Sequence, residues 1–196
     1  MVSGVFTLEL PVCRHTLRAS RPRGSQPAAR RAPFIAGPEN GLARFAATAL
    51  LDSETEFSPL LIYGPPGVGK THLALGYAGL WKERRPSQFV AITDGADFAR
   101  DFSVACDTRG LPDFRRRLTR CDLIVIDGID ALSPKKAAQA ELVRLLDDAH
   151  RRQQSMIVTA RQLPSANSGL LPAVCSRLLA GLMLPVRKEP ARVRQR

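Results

Sequence analysis

Two apolar rhythms alternate along the chain from about residue 42 onward. Leu42, Phe45, Ala46, Ala49 and Leu50 recur at helical spacing and predict one amphipathic helix. Residues 59–63 form a short apolar run that stops at Gly64, which reads as a buried strand. The composition from Lys70 to Trp81 predicts a helix, and 89–93 a second strand. Helices are expected over 96–106 and 112–120, then a strand over 123–126 that ends on Asp127. A long amphipathic helix is expected over 135–152, with Ala138, Leu142, Leu145, Leu146 and Ala149 on one side. A fourth strand at 156–159, a helix at 170–179 and a fifth strand at 182–186 complete the pattern. Runs that are apolar throughout belong to strands covered on both faces, and strands separated by helices run parallel. The expected fold is therefore α/β: a five-stranded parallel sheet between two layers of helices.

The N-terminal region has a different texture. A short strand is expected from Val5 to Leu10, and residues 13–33, rich in Arg, Pro, Ser and Ala, read as linker. The domain plan is a flexible basic extension over 1–33, a folded domain over 34–186 and a basic tail over 187–196. The full 196 residues, 44% hydrophobic and 24% charged, suffice for one α/β domain with a core and are too few for two enzyme domains. No apolar run approaches the ~20 residues of a membrane helix, so no membrane partner is expected.

Charge sharpens this plan. The chain carries +11, but residues 1–31 hold six arginines against Glu9 alone, and residues 187–196 hold five cations against Glu189. The middle is close to neutral. Basic tails suit a polyanion such as DNA through phosphate contacts, and they equally suit a solvated extension. The four cysteines (Cys13, Cys106, Cys121, Cys175) form no CxxC pair, and Cys121 and Cys175 lie in apolar segments as expected buried thiols. With no signal peptide pattern at the N-terminus, a reducing cytoplasm is the expected compartment.

The chemistry concentrates at Gly64-Pro65-Pro66-Gly67-Val68-Gly69-Lys70-Thr71, which matches G-x-x-x-x-G-K-[ST]. Glycines at these positions let backbone N–H groups turn toward a phosphate anion. Lys70 reaches the β- and γ-phosphates, the Thr71 hydroxyl suits Mg²⁺, and the helix that starts here presents its positive end. The second acidic position is Asp127, at the C-terminal end of an apolar strand, where ligands bind in open α/β sheets. It is expected to share the Mg²⁺ with Thr71. Gly128 stands where many hydrolytic P-loop proteins carry a second carboxylate. Asp130 replaces it only along a changed loop path, so nucleotide binding is better supported than hydrolysis.

Beyond this loop, Phe34-Ile35-Ala36-Gly37-Pro38-Glu39-Asn40, then 58–64, then Gly69-Lys70-Thr71-His72-Leu73, resemble the AAA+ ATPase domain of the bacterial replication initiator DnaA family. Residues 113–127 and Ser176-Arg177-Leu178-Leu179-Ala180-Gly181-Leu182 add to the likeness, which runs from about 34 to 186. The resemblance implies a P-loop fold with ATP at the sheet rim, the segment Phe34, Ile35, Gly37 and Asn40 beside the adenine, and His72 among the nucleotide-binding residues. It also implies that Arg177 is a finger acting in trans on a γ-phosphate held by the next subunit. Three departures accompany it. Gly128 replaces the family's second Asp. Ala160-Arg161 stand where the family's first sensor has Ser-Asp, which leaves Thr159 as the nearby polar group. The family's helical lid and helix-turn-helix domain have no counterpart after 186, so origin-box readout by that means is not expected.

The function expected is an ATP-binding, DnaA-like protein that acts in or regulates initiation of chromosomal replication, with weak or absent hydrolysis. Its expected partners are a replication initiator or another AAA+ subunit, and DNA through the basic tails. The alternatives are a degenerate, non-catalytic interaction paralogue and an ATPase of the helicase-loader or transposase-helper type; the 34–40 segment speaks against the latter.

Overall fold

The structure is a computed structural model that describes residues 6–11, 31–36, 41–43, 46, 58–166 and 169–187. Strands β1 (Phe6–Pro11) and β2 (Arg31–Ala36) pair antiparallel as a two-stranded ribbon. The remainder alternates as the apolar pattern requires: β3 (Leu60–Tyr63), α1 (Lys70–Arg84), β4 (Val90–Asp94), α2 (Gly95–Asp107), α3 (Leu111–Thr119), β5 (Leu123–Asp127), α4 (Lys136–Arg151), β6 (Ser155–Ala160), α5 (Pro172–Leu179) and β7 (Leu182–Pro185). Short 3₁₀ turns at Ile129–Leu132 and Pro164–Ala166 sit in the connections.

The five strands β3 to β7 form one parallel sheet in the order β4-β5-β6-β3-β7. All five strand ends with chemistry therefore face the same edge. Side chains alternate across the strands and fill two cores. Leu61, Ile124, Ile126, Met156 and Val158 pack against α2 to α5, including Phe98, Phe114, Leu142 and Leu178. Leu60, Ile62, Leu123, Val125 and Ile157 face the other way, against Leu73, Tyr77 and Trp81 of α1. These residues are essentially fully buried, and each fully buried Leu or Ile contributes roughly 1.5–3 kcal/mol of transfer free energy. The three-layer sandwich follows from that double burial.

Three details depart from the sequence pattern. Helix α1 runs to Arg84, a turn beyond the expected Trp81, because Trp81 turns inward and Arg85 caps its ring from above at 4.2 Å. The helix expected over 42–50 is described only at 41–43 and 46; there Ala43 and Ala46 are buried while Leu42 is 52% exposed, so Leu42 does not belong to the buried face. Tyr77 reaches that segment, its hydroxyl donating to the Ala43 carbonyl at 2.6 Å, and burial raises the phenol far above its ordinary value. Finally, α4 buries two polar residues beside its apolar stripe. Gln139 is fully buried and donates to the Leu132, Ser133 and Gly169 carbonyls while accepting from the Leu171 N–H. Glu141 is gripped by Arg115 through two bonds of 2.8 and 2.7 Å.

The strand expected near Val5 to Leu10 is β1, and it lies alongside α1. β2 crosses the boundary expected at residue 33, so Phe34 and Ile35 lie within the ribbon, at register positions opposite Leu8 and Thr7. Gly37 and Asn40, most of the linker, and the tail from 188 onward lie outside the described residues. Cys121 is buried, and burial pushes its thiol up to about 11. Cys175 is only half-buried, with its thiol donating to the Pro164 carbonyl at 3.3 Å.

Candidate functional site

The loop from Gly64 to Gly69 joins β3 to α1 at the C-terminal edge of the sheet. Gly67 and Gly69 take φ values of +78° and +96°, which side-chain-bearing residues rarely adopt. Those two turns aim the loop inward, and Gly69 becomes the cap residue of α1 without any side-chain bond to the helix N–H groups. The first-turn N–H groups of α1 are thereby left for an acceptor, the arrangement that binds phosphate at a helix start. Gly64 is pressed against Val186, where a Cβ would stand 2.1 Å from the carbonyl oxygen, so the loop's first residue is locked between β3 and the end of β7.

Lys70 is half-buried at the head of α1, and its ammonium donates to the Pro65 carbonyl at 2.8 Å, across its own loop. Burial lowers its proton affinity most; Asp127 and Asp130 oppose that shift, and Arg161 adds to it. Thr71 follows, and its hydroxyl meets both carboxylate oxygens of Asp127, at 3.1 and 2.9 Å. Two residues 56 positions apart in sequence thus converge on one point. Pro65, Pro66 and Val68 form the outer turn of the loop, with both prolines exposed, and His72 is half-buried in the first turn of α1.

The sheet order explains a contact that apolar patterning cannot reveal. β5, which ends in Asp127, is not the neighbour of β3; β6 lies between them. Thr159 on β6 ties that intervening strand to the end of β5. It is 1% exposed, its hydroxyl donates to Asp127 at 2.5 Å, and the same oxygen accepts the Gly128 N–H at 2.8 Å. The next residue continues the join, because the Ala160 carbonyl accepts the Gly64 N–H at 3.2 Å. Gly128 is in a left-handed conformation and the following 3₁₀ turn carries Asp130 back toward β6, where its carboxylate accepts the Arg161 N–H at 2.8 Å.

Arg177 stands elsewhere. It lies on α5, and its guanidinium grips Asp147 of α4 through bonds of 2.6 and 3.0 Å while also donating to the Ala173 carbonyl. Its contacts are with the helix layer rather than with the phosphate loop. These hydrogen bonds hold the Asp147 carboxyl below its ordinary range.

A hydroxyl and a carboxylate meeting beside a lysine and a helix start are the donor set for a magnesium-bound polyphosphate. Among the described residues no cluster of three His, Cys, Asp or Glu residues suitable for a metal exists. Mg²⁺ is commonly held by one or two protein groups together with phosphate oxygens, which fits Thr71 and Asp127.

Fold and site together define a P-loop domain of the AAA+ type. The sequence profile of the bacterial DnaA ATPase domain matches residues 30–185, and the chain belongs to that family. The chromosomal replication initiator DnaA of Aliarcobacter butzleri is 31% identical over 155 residues, which cover 79% of this chain and 35% of that protein. The chain thus spans about a third of the length of the curated relatives it matches. Domain III of DnaA from Thermotoga maritima superposes with a TM-score of 0.78 at 25% identity, over 82% of this chain and 68% of that one. AMPPCP-bound DnaA from Aquifex aeolicus gives 0.74 at 25% identity, over 80% of this chain and 49% of the other. A DnaC helicase loader gives 0.67 at 18% identity over 78% of this chain and 92% of that one, a likeness of fold alone.

Among the described residues no helix is long and apolar enough to cross a membrane.

Proposed function

We propose that this chain is a Mg-ATP-binding module that acts in, or regulates, the initiation of chromosomal replication, and that it turns ATP over weakly or not at all. The convergence of Thr71 on both oxygens of Asp127 beside Lys70 carries this reading. The phosphates would lie on the N–H groups of 64–71 with Lys70 at the β- and γ-positions, and Thr71 and Asp127 would hold the Mg²⁺. The ion, when bound, neutralises phosphate charge. Phe34, Ile35, Gly37 and Asn40 would form the adenine end, with His72 among the nucleotide-binding residues. AMPPCP-bound DnaA from Aquifex aeolicus, and a replication initiator DnaA bound to AMPPCP and single-stranded DNA, support the ligand class.

Weak turnover rests on Gly128 and Asp130. Gly128 offers no carboxylate, and Asp130 is committed to the Arg161 N–H. In this reading Arg177 serves a neighbouring AAA+ subunit, such as a replication initiator, and the basic ends of the chain touch DNA in the cytoplasm. The test is titration of the full chain with a fluorescent ATP analogue. Saturable, magnesium-dependent binding is expected, with Lys70→Ala weakening it at least about a hundredfold, the scale of losing a desolvated charge on the terminal phosphates. Lys70 bears a desolvation cost in the free protein, so the variant should fold and melt no lower than the parent. Binding that ignores Lys70→Ala rejects the assignment, and phosphate release at ordinary AAA+ rates rejects weak turnover.

A further inference from the structure

Helix α5 is fastened to α4 at both ends. Near its end Arg177 grips Asp147, and at its start Leu171 gives its N–H to the side-chain oxygen of Gln139 at 2.6 Å. Leu171 supplies no side-chain cap, so α5 takes this acceptor from outside. Gln139 is fully buried on α4 and also holds the turn that follows β5. Its two amide hydrogens are shared among the carbonyls of Leu132 at 2.9 Å, Ser133 at 3.0 Å and Gly169 at 2.9 Å. That turn leads directly from the candidate site. Thr71 and Thr159 hold Asp127, the Gly128 carbonyl accepts the Ala131 N–H at 3.2 Å, and the Asp130 carbonyl accepts the Ser133 N–H at 3.1 Å. Ile129 and Leu132 anchor the same turn in the core. One buried side chain thus joins the backbone behind Asp127 to the first residue of the helix that carries Arg177.

We infer that Gln139 is a positioning residue that couples occupancy of the nucleotide site to the start of α5, an inference that rests on the Mg-ATP reading above. A buried amide with its donors and acceptor all engaged cannot follow one neighbour and release the other. Each broken bond would leave a buried polar group unpaired, which costs more than the bond itself contributes. The turn at 129–133 and the start of α5 therefore shift or open together. Local opening is the motion concerned, since short turns and helix ends open far more readily than the whole fold. A ligand that steadies Asp127 steadies the turn behind it, and Gln139 passes that restraint to the Leu171 N–H. Lys136 reinforces the link, its ammonium donating to the Gly169 carbonyl at 3.0 Å. Arg177 is thereby presented from a helix whose first turn is firmer when the site is filled.

The experiment is hydrogen exchange of the full chain, with and without Mg-AMPPCP, in the parent and in Gln139→Met, Gln139→Glu and Gln154→Met. Methionine keeps the length of glutamine and loses all of its hydrogen bonds; glutamate keeps an acceptor for Leu171 and loses the amide hydrogens. Gln154 is the matched control. It is also buried, its amide donates to the Leu118 and Cys121 carbonyls, and it precedes β6 at the sheet edge away from the site. In the parent, nucleotide should slow exchange at 171–175 by about fivefold or more, the lower end of couplings between sites. Both Gln139 variants should lose that response while binding the analogue within about threefold of the parent, because the bonds of Gln139 go to the turn and α5 rather than to the loop or Asp127. Gln154→Met should melt lower than the parent and keep the response. The Gln139 side-chain amide resonances of the parent should also shift on nucleotide addition, a readout that needs no variant. Unshifted resonances, exchange at 171–175 that ignores nucleotide in the parent, a response kept in the Gln139 variants, or its equal loss in Gln154→Met overturns the inference while the nucleotide site stands. A parent chain that binds no nucleotide overturns the Mg-ATP reading and this inference together.

Discussion

Replacing Thr159 with Val tests the bridge on which the site's geometry depends. Valine keeps the branched shape of threonine in a position that is 1% exposed, so packing is preserved and only the hydroxyl is lost. That hydroxyl makes two bonds, to Asp127 at 2.5 Å and from the Gly128 N–H at 2.8 Å. A hydrogen bond to a charged group is worth about 1.5–3 kcal/mol, and an unpaired, half-buried N–H costs about 1 kcal/mol more. The added methyl returns about 0.8 kcal/mol of burial. The net expectation is a loss of about 2–3 kcal/mol, or roughly 4–12 °C of melting temperature for a chain of this size. Asp127 keeps its contact with Thr71 but loses the group that fixes its angle, so magnesium affinity in the presence of nucleotide should fall by about tenfold or more. Thermal melts followed by magnesium titration of analogue binding measure both effects, with Thr159→Ser as the variant that restores the hydroxyl. A Thr159→Val protein that melts within about 1 °C of the parent and takes up magnesium equally well would refute the bridge.

Two further outcomes are expected. Gly181→Ala should destabilise the fold by about 2 kcal/mol or more in urea unfolding, because a Cβ there would stand 1.9 Å from the Pro59 carbonyl oxygen, a backbone atom that cannot step aside; a neutral result would mean that the start of β7 moves freely. Asp147→Asn should leave thermal stability at pH 7 nearly unchanged, since the pair is more than a third exposed on both sides, while nucleotide-dependent association measured by sedimentation should rise because Arg177 is released. The Asp147 carboxyl is lowered from 3.8 by its bonds to Arg177, so whatever the pair contributes is complete above that pH and is lost only as pH falls through the lower folded value. A parent protein whose stability changed through the Asp147–Arg177 pair near neutral pH would contradict that sign.

The alternation of buried runs and amphipathic segments was enough to read the sheet, its helices and its phosphate loop, because strands buried on both faces and helices with one apolar stripe leave local signatures. The ends of α2 to α5 differ from the pattern by a residue or two, as frayed helix ends do. Leu42 was misplaced because a single short segment has two adjacent stripes, and burial against Tyr77 chose the one with Ala43 and Ala46. The second strand of the ribbon carried no signal, since Arg31–Ala36 holds two small residues and a proline and gains its form only by pairing with β1. Gln139 and Glu141 were invisible as core residues because their burial rests on partners at 132, 133, 169, 171 and 115.

Local chemistry by itself determined the phosphate loop, the strand-end carboxylate and the class of ligand they suit, because backbone turns at glycine and the order strand-loop-helix are properties of neighbouring residues. The tertiary structure alone decided what stands between them. Placing β6 between β5 and β3 made Thr159 the bridge to Asp127 and set Asp130 against the Arg161 N–H. The packing of α5 on α4 tied Arg177 to Asp147. Strand order is the physical reason: it joins residues tens of positions apart, and no periodicity within a single segment encodes it.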